Sequence, residues 1–204
     1  MKICGMREPD NIRLVAELKP DYMGFIFYSG SPRHFDSTVD PFNDMITEGI
    51  GKVGVFVNET PKSVLKKAEE YHLDMIQLHG NETPEYCSLV KKEGLPLIKT
   101  VRIFTEKDFN NLEVFEDKCD YFLFDTGGQK YGGTGEKFNW ELLGEYKGNI
   151  PFFLSGGIGP HDAGIIKELD LPGLFAIDIN SRFEISPGIK NIPIIKTFLQ
   201  SIKQ

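Results

Sequence analysis

Short apolar runs alternate with longer mixed segments from one end of the chain to the other. The runs are Lys2–Gly5 (KICG), Met23–Tyr28 (MGFIFY), Lys52–Val57 (KVGVFV) and Asp74–Leu78 (DMIQL), then Pro96–Val101 (PLIKTV), Asp120–Asp125 (DYFLFD), Pro151–Ser155 (PFFLS) and Leu174–Ile179 (LFAIDI). Each is rich in Val, Ile and Phe and is bounded by turn residues, as strands buried on both faces are. Buried helical fragments share that composition, but the brevity of the runs and the flanking Gly and Pro favour strands.

The segments between them carry helical signals. Pro9–Leu18 places Ile12, Val15, Ala16 and Leu18 on about one face. Thr60-Pro61 and Thr83-Pro84 each read as an N-cap followed by proline at the first helical position. Asn191–Ile202 spaces Ile194, Ile195, Phe198, Leu199 and Ile202 as one helical stripe, whereas Thr105–Lys118 is polar and irregular and predicts a short or poor helix. Eight strands at roughly 21–31-residue intervals, with helices between and no linker, suggest a parallel sheet. Such a sheet is either open and doubly wound or closed; the count of eight favours a (βα)8 TIM barrel, one domain over residues 1–204.

Composition narrows the partners. The formal net charge is −7, which argues against a nucleic-acid or anionic-membrane binder, since either needs a basic stripe. No segment reaches the roughly 18 uninterrupted apolar residues of a membrane span. The start, MKICGMREPD, lacks the features of a signal peptide, so a cytoplasmic protein is expected. Cys4, Cys87 and Cys119 lie far apart without CxxC spacing, which disfavours a disulfide framework or structural zinc.

In a barrel, chemistry sits at the C-terminal strand ends. Cys4 ends the first predicted strand, His79 follows the fourth, Asp125 ends the sixth, and Asp178 and Asn180 end the eighth. Cys87 falls within a helix and Cys119 at the far end of the barrel, which leaves Cys4 as the candidate thiol. Asp125 closes an almost wholly aromatic and apolar run, where desolvation would keep a carboxyl protonated and able to donate. A cysteine and an aspartate facing one substrate suit removal of one proton and delivery of another. Ser155-Gly156-Gly157-Ile158-Gly159 after the seventh strand, with Asn180 and Ser181 after the eighth, offers the exposed N–H groups that a phosphate needs. A second glycine cluster, Gly127–Gly135, reads as a loop over the mouth. Arg7, Arg33, Arg102 and Arg182 all follow strands, which predicts a locally positive mouth on an acidic body.

Together KICG, GFIFY…SPR, GVFVN, IQLHG, FDT…YGGTG…FNW, LSGGIG and AIDINSRFE…PGIKN resemble the phosphoribosylanthranilate isomerase family, in order and over nearly the whole chain. The resemblance implies a barrel with a short or missing fifth helix. It also implies a cofactor-free Amadori rearrangement of a phosphosugar in tryptophan biosynthesis, with Asp125 as general acid and Cys4, as thiolate, as general base. It places Arg33 on the carboxylate of the anthranilate, His79 and Asp178 along the site, and Gly156, Gly157, Asn180, Ser181 and Arg182 around the phosphate. Where the family commonly has Asp-x-Ser-Ser-Gly-Val-Glu, this chain reads Asp178-Ile-Asn-Ser-Arg-Phe-Glu184, so Arg182 stands in place of a glycine. Either a monomer or a homodimer is compatible with the sequence.

Two other readings compete. A metal-dependent phosphosugar epimerase would need His and Asp ligands from several strand ends, and the four histidines His34, His72, His79 and His161 are poorly placed for that. A non-catalytic phosphate-binding barrel is favoured only by the altered eighth loop, and both Cys4 and Asp125 speak against it.

Overall fold

The computed structural model describes residues 1–36, 49–126 and 140–203. Eight parallel strands close into a barrel in sequence order: β1 (Lys2–Cys4), β2 (Tyr22–Ile26), β3 (Gly51–Phe56), β4 (Met75–Leu78), β5 (Leu97–Ile103), β6 (Tyr121–Thr126), β7 (Phe152–Leu154) and β8 (Leu174–Ile179). Closure comes from β1 pairing with β8, which sets Lys2 opposite Asp178. All eight predicted strands form, and their ends move by one or two residues. In β5 the strand runs on to Ile103 and brings Arg102 into register with Asp125.

The helices α1 (Pro9–Ala16), α2 (Pro61–Glu70), α3 (Pro84–Lys91), α4 (Ala163–Glu168) and α5 (Ile192–Lys203) pack outside. The two Thr-Pro signatures start helices as their chemistry requires. Thr60 Oγ1 accepts the Ser63 N–H at 3.2 Å, and Thr83 Oγ1 accepts the Tyr86 N–H at 3.3 Å. Behind β5 there are two 3-10 turns, Glu106–Phe109 and Leu112–Phe115, in place of an α-helix. Asn111 and Asp117 adopt left-handed φ values of 63° there, which breaks any continuous helix. The predicted loop Gly127–Gly135 lies outside the described residues.

Two apolar layers hold the barrel. Ile3, Phe56, Ile76, Phe122, Phe152 and Ile179 point outward into the core shared with the helices. Inside, Val53, Met75, Ile98, Leu123 and Phe153 form a plug with Tyr22, Tyr121 and Ala176 against it. Each fully buried large side chain contributes about 1.5–3 kcal/mol. Strand side chains alternate, so the residue two positions beyond each plug residue faces the same interior, nearer the C-terminal mouth. That step leads from Met75 to Gln77 and His79, from Ile98 to Thr100, from Leu123 to Asp125 and from Ala176 to Asp178. The plug thus serves as the floor beneath the polar groups. Among the described residues, no helix is long and apolar enough to cross a membrane.

Candidate active site

The strand ends open into one cavity of about 740 Å³, counted with the solvent in its mouth. Cys4, Gln77, His79, Asp125 and Asp178 line it, and the loops Ser155–Ile158 and Asn180–Ser181 form one rim. Sequence-predicted residues from strands β1, β4, β6, β7 and β8 therefore meet in one place.

The group beneath Cys4 is a buried ion pair. Lys2, on the same face of β1 two residues earlier, is fully buried and donates from Nζ to Asp178 Oδ2 at 3.0 Å. A Cβ on Gly24 would lie 2.8 Å from Cys4 Sγ and 3.1 Å from Lys2 Cε, so glycine there lets both side chains converge. Burial works against the charge on Lys2; Asp178 and then Cys4 outweigh it, and the lysine stays protonated. Burial pushes the Cys4 thiol up, with Lys2 pulling it down and Asp178 pushing it up again, for a net upward shift. Burial likewise raises the Asp178 carboxyl against the pull of Lys2. Asp178 Oδ1 is buried without a hydrogen-bond partner among the described residues, an acceptor available to a ligand hydroxyl.

Across the cavity, His79 Nε2 lies 3.6 Å from Asp125 Oδ2. On its other side Nδ1 is 3.1 Å from Gln77 Nε2 and 3.2 Å from Thr100 Oγ1. Burial, followed by the charges of Lys2, Lys99 and Arg102, lowers the imidazole to about 3. His79 is therefore neutral at physiological pH. Its loop is braced by a second buried pair: Lys99 donates to Glu82 at 3.0 Å and to the Gly80 carbonyl at 2.8 Å.

The phosphate-loop candidates have the expected backbone. Gly156 (φ 90°) and Gly157 (φ 68°) both occupy the left-handed region, where a side chain is strained. Asn180 is held by Lys190, whose fully buried Nζ donates to Asn180 Oδ1 and Glu184 Oε1 at 2.7 Å each. Arg33 is not on the cavity lining. Its guanidinium is gripped by Glu184, through Nε at 3.0 Å and Nη2 at 2.7 Å. Against the upward push of burial, Arg33 and Lys190 hold the Glu184 carboxyl below the usual range. Gly5 (φ 77°) sits between these groups; a Cβ there would come within 2.6 Å of Asn180 Oδ1 and 2.9 Å of Arg33 Cδ. Arg182 is exposed, outside the cavity lining, and runs beside Gly159, to which a Cβ would bring its Cδ within 3.3 Å. Its backbone φ is not positive, so the exchange of a glycine for arginine brings no left-handed strain.

The positive mouth is more neutral than the arginine positions suggest, because Arg7 pairs with Glu8 and Arg33 with Glu184. Sequence reasoning does not single out Lys99, Glu82, Lys190 or Glu184. A lysine inside the apolar run PLIKTV and another in PGIKN were the available signals. Cys87 and Cys119 are buried away from the cavity, and burial raises their thiols to about 11 and about 12. Among the described residues, no group of three or more His, Cys, Asp or Glu is placed to hold a metal ion.

Residues 1–201 match the family described as PRAI, N-(5'phosphoribosyl)anthranilate (PRA) isomerase. The chain is 48% identical over 204 residues to the N-(5'-phosphoribosyl)anthranilate isomerase of Parabacteroides distasonis, covering 99% of this chain and 92% of that relative. It resembles the crystal structure of phosphoribosyl anthranilate isomerase from Thermotoga maritima with a TM-score of 0.85 at 31% identity, over 99% of this chain and 97% of that one. It also resembles a phosphoribosyl anthranilate isomerase crystallised with reduced 1-(o-carboxyphenylamino)-1-deoxyribulose 5-phosphate, with a TM-score of 0.82 at 28% identity over 99% and 97% of the two chains. With a closed eight-stranded barrel and a family match running from residue 1 to residue 201, the chain belongs to the phosphoribosylanthranilate isomerase family.

Proposed function

We propose that this chain catalyses the Amadori rearrangement of N-(5'-phosphoribosyl)anthranilate to 1-(2-carboxyphenylamino)-1-deoxyribulose 5-phosphate, a step of tryptophan biosynthesis, as a one-domain cytoplasmic enzyme without a cofactor. The observation that carries the reading is the convergence of Cys4, Asp125 and the Gly156-Gly157 and Asn180-Ser181 loops on one cavity.

Asp125 protonates the ribose ring oxygen, the C1–O bond breaks, and a Schiff base forms at C1. The Cys4 thiolate then removes the proton from C2, and the resulting enolamine tautomerises to the ketone. One proton leaves Asp125 and one arrives at Cys4, so solvent exchange restores both groups and the isomerisation consumes nothing. Each group supplies about 10²–10⁴ in rate. Lys2 is the built-in countercharge for the Cys4 thiolate.

Binding follows from the same geometry. Backbone N–H groups of Gly156 and Gly157 and the Asn180-Ser181 turn take the phosphate, with Arg182 adding charge from the rim. The apolar wall of Ile26, Val55 and Val57 receives the anthranilate ring. Arg33, fixed by Glu184, takes the anthranilate carboxylate, and Asp178 Oδ1 accepts a ribose hydroxyl.

The test is turnover of freshly generated phosphoribosylanthranilate, followed by loss of its fluorescence. Wild-type chain is expected to turn over; Asp125→Asn is expected to lose at least about a hundredfold in kcat, and Arg33→Ala mainly to raise KM. No turnover by the wild-type chain would overturn the reading.

A further inference from the structure

The ring of His79 has two nitrogens with different tasks, and the groups around it decide which one carries the proton. Gln77 and Thr100 come from neighbouring strands, β4 and β5, and converge on Nδ1. Gln77 Nε2 is an amide donor with no lone pair to offer. It lies 3.1 Å from Nδ1 and donates to Thr100 Oγ1 at 3.2 Å, which leaves the Thr100 hydroxyl proton free to turn to Nδ1. With the amide in this orientation Nδ1 accepts from Gln77, and the Thr100 hydroxyl can donate to it as well. A neutral imidazole whose Nδ1 accepts must carry its proton on Nε2. That nitrogen faces Asp125 Oδ2 at 3.6 Å, a gap of the kind that tightens when substrate closes a site.

This orientation of the amide spends its donors on His79 and Thr100 and leaves its oxygen unpaired. Both Gln77 and Thr100 are buried, and Gln77 Oε1 has no hydrogen-bond partner among the described residues. A buried unpaired acceptor is costly, and Gln77 tolerates one while its donors are spent on Thr100 and His79. The cations Lys2, Lys99 and Arg102 oppose a second proton on the ring, so it stays neutral and can only choose between tautomers.

We propose that Gln77 and Thr100 are positioning residues for the general acid: they fix His79 as the Nε2–H tautomer, whose N–H holds Asp125 Oδ2 and leaves the transferable proton of the acid on Oδ1. This rests on the assignment of Asp125 as the acid. The rival tautomer would act in the opposite sense. With Nε2 a bare acceptor, the Asp125 proton would be spent in a hydrogen bond to the imidazole, away from the ribose oxygen. After transfer, the Nε2–H form also donates to the newly ionised carboxylate. It therefore favours the product side of the same step.

The experiment combines a spectrum with kinetics. Long-range nitrogen–proton correlation spectra of nitrogen-15 histidine-labelled full-length protein identify the tautomer of His79, assigned by comparison with His79→Gln. The wild-type ring is expected to carry its proton on Nε2. The Gln77→Met/Thr100→Val variant, which keeps the bulk and removes both donors, is expected to populate the Nδ1–H form. Its kcat should fall about tenfold or more with KM little changed, a part of the general-acid factor. Thr100→Ser, which retains the hydroxyl, should restore both the spectrum and kcat in the Thr100 position. A wild-type ring protonated on Nδ1 overturns the proposal even if the double variant fails to fold. A folded double variant with wild-type kcat overturns it as well. Absence of turnover in a wild-type chain with the Nε2–H spectrum would instead count against the assigned reaction, so the two failures are distinguishable.

Discussion

Neutralising the buried imidazole has a thermodynamic consequence that can be isolated with one substitution. The lowered pKa of His79, about 3 against the ordinary 6.5, comes first from burial and then from the cations Lys2, Lys99 and Arg102. Below the unfolded value, the unfolded chain takes up a proton at this position and the native chain does not. Stability is therefore complete above about pH 6.5 and falls as pH drops towards the folded value. The slope approaches ~1.4 kcal/mol per pH unit, which integrates to about 2 kcal/mol between pH 7 and pH 5. Other groups titrate over the same range, so the informative quantity is the difference between wild type and His79→Gln. Urea unfolding at pH 7, 6 and 5, extrapolated to water, should show His79→Gln gaining about 2 kcal/mol relative to wild type as pH falls from 7 to 5. Parallel pH dependences in the two proteins would refute the claim that this ring is held neutral in the native state.

The remaining expectations concern the floor and rim of the site. Because burial raises the Cys4 thiol, log kcat/KM should still climb above pH 8, with the thiolate as the active form; a flat profile from pH 6 to 9 would contradict it. Lys2→Met strands the buried Asp178 carboxylate and should cost about 3–5 kcal/mol, most of it recovered in Lys2→Met/Asp178→Asn, as read by urea unfolding. Arg182 is an exposed cation at the rim, so Arg182→Gly should raise KM only about two- to fivefold, less at high salt, while an unchanged KM would remove it from the phosphate site.

The parts of the fold that follow local rules are legible in the sequence. Apolar runs of four to six residues locate all eight strands, and the Thr-Pro signatures locate the starts of α2 and α3, because capping and proline chemistry act within one turn. Thr105–Lys118 reads as a poor helix for the same reason: it has no apolar stripe, and Asn111 and Asp117 break it. The strand-end rule also brings Cys4, His79, Asp125 and Asp178 into one cavity. The buried cations were not legible. Lys99 and Lys190 look like ordinary members of a set of 18 lysines, and Lys2 stands out only as a neighbour of Cys4, with no sign of its partner. Two pairings span the chain, with Asp178 176 residues from Lys2 and Glu184 151 from Arg33, whereas Lys99 and Lys190 find Glu82 and Glu184 only 17 and 6 residues away. Closure of the barrel brings β8 beside β1, and no local pattern encodes which charge will face which. Folding also pairs Arg33, an apparent mouth arginine, with the distant Glu184, while Arg7 pairs with its own neighbour Glu8.

Removal of the C2 proton by Cys4 is the step on which the assigned chemistry depends, and it separates cleanly from binding. Cys4→Ser keeps size and polarity but replaces the thiol with a far weaker acid. Single-turnover kinetics on freshly generated phosphoribosylanthranilate should show at least about a hundredfold loss in the chemical step, while the reduced product analogue binds with an affinity close to wild type. A Cys4→Ser chain that turns over at near wild-type rate would contradict the role of Cys4 as the base.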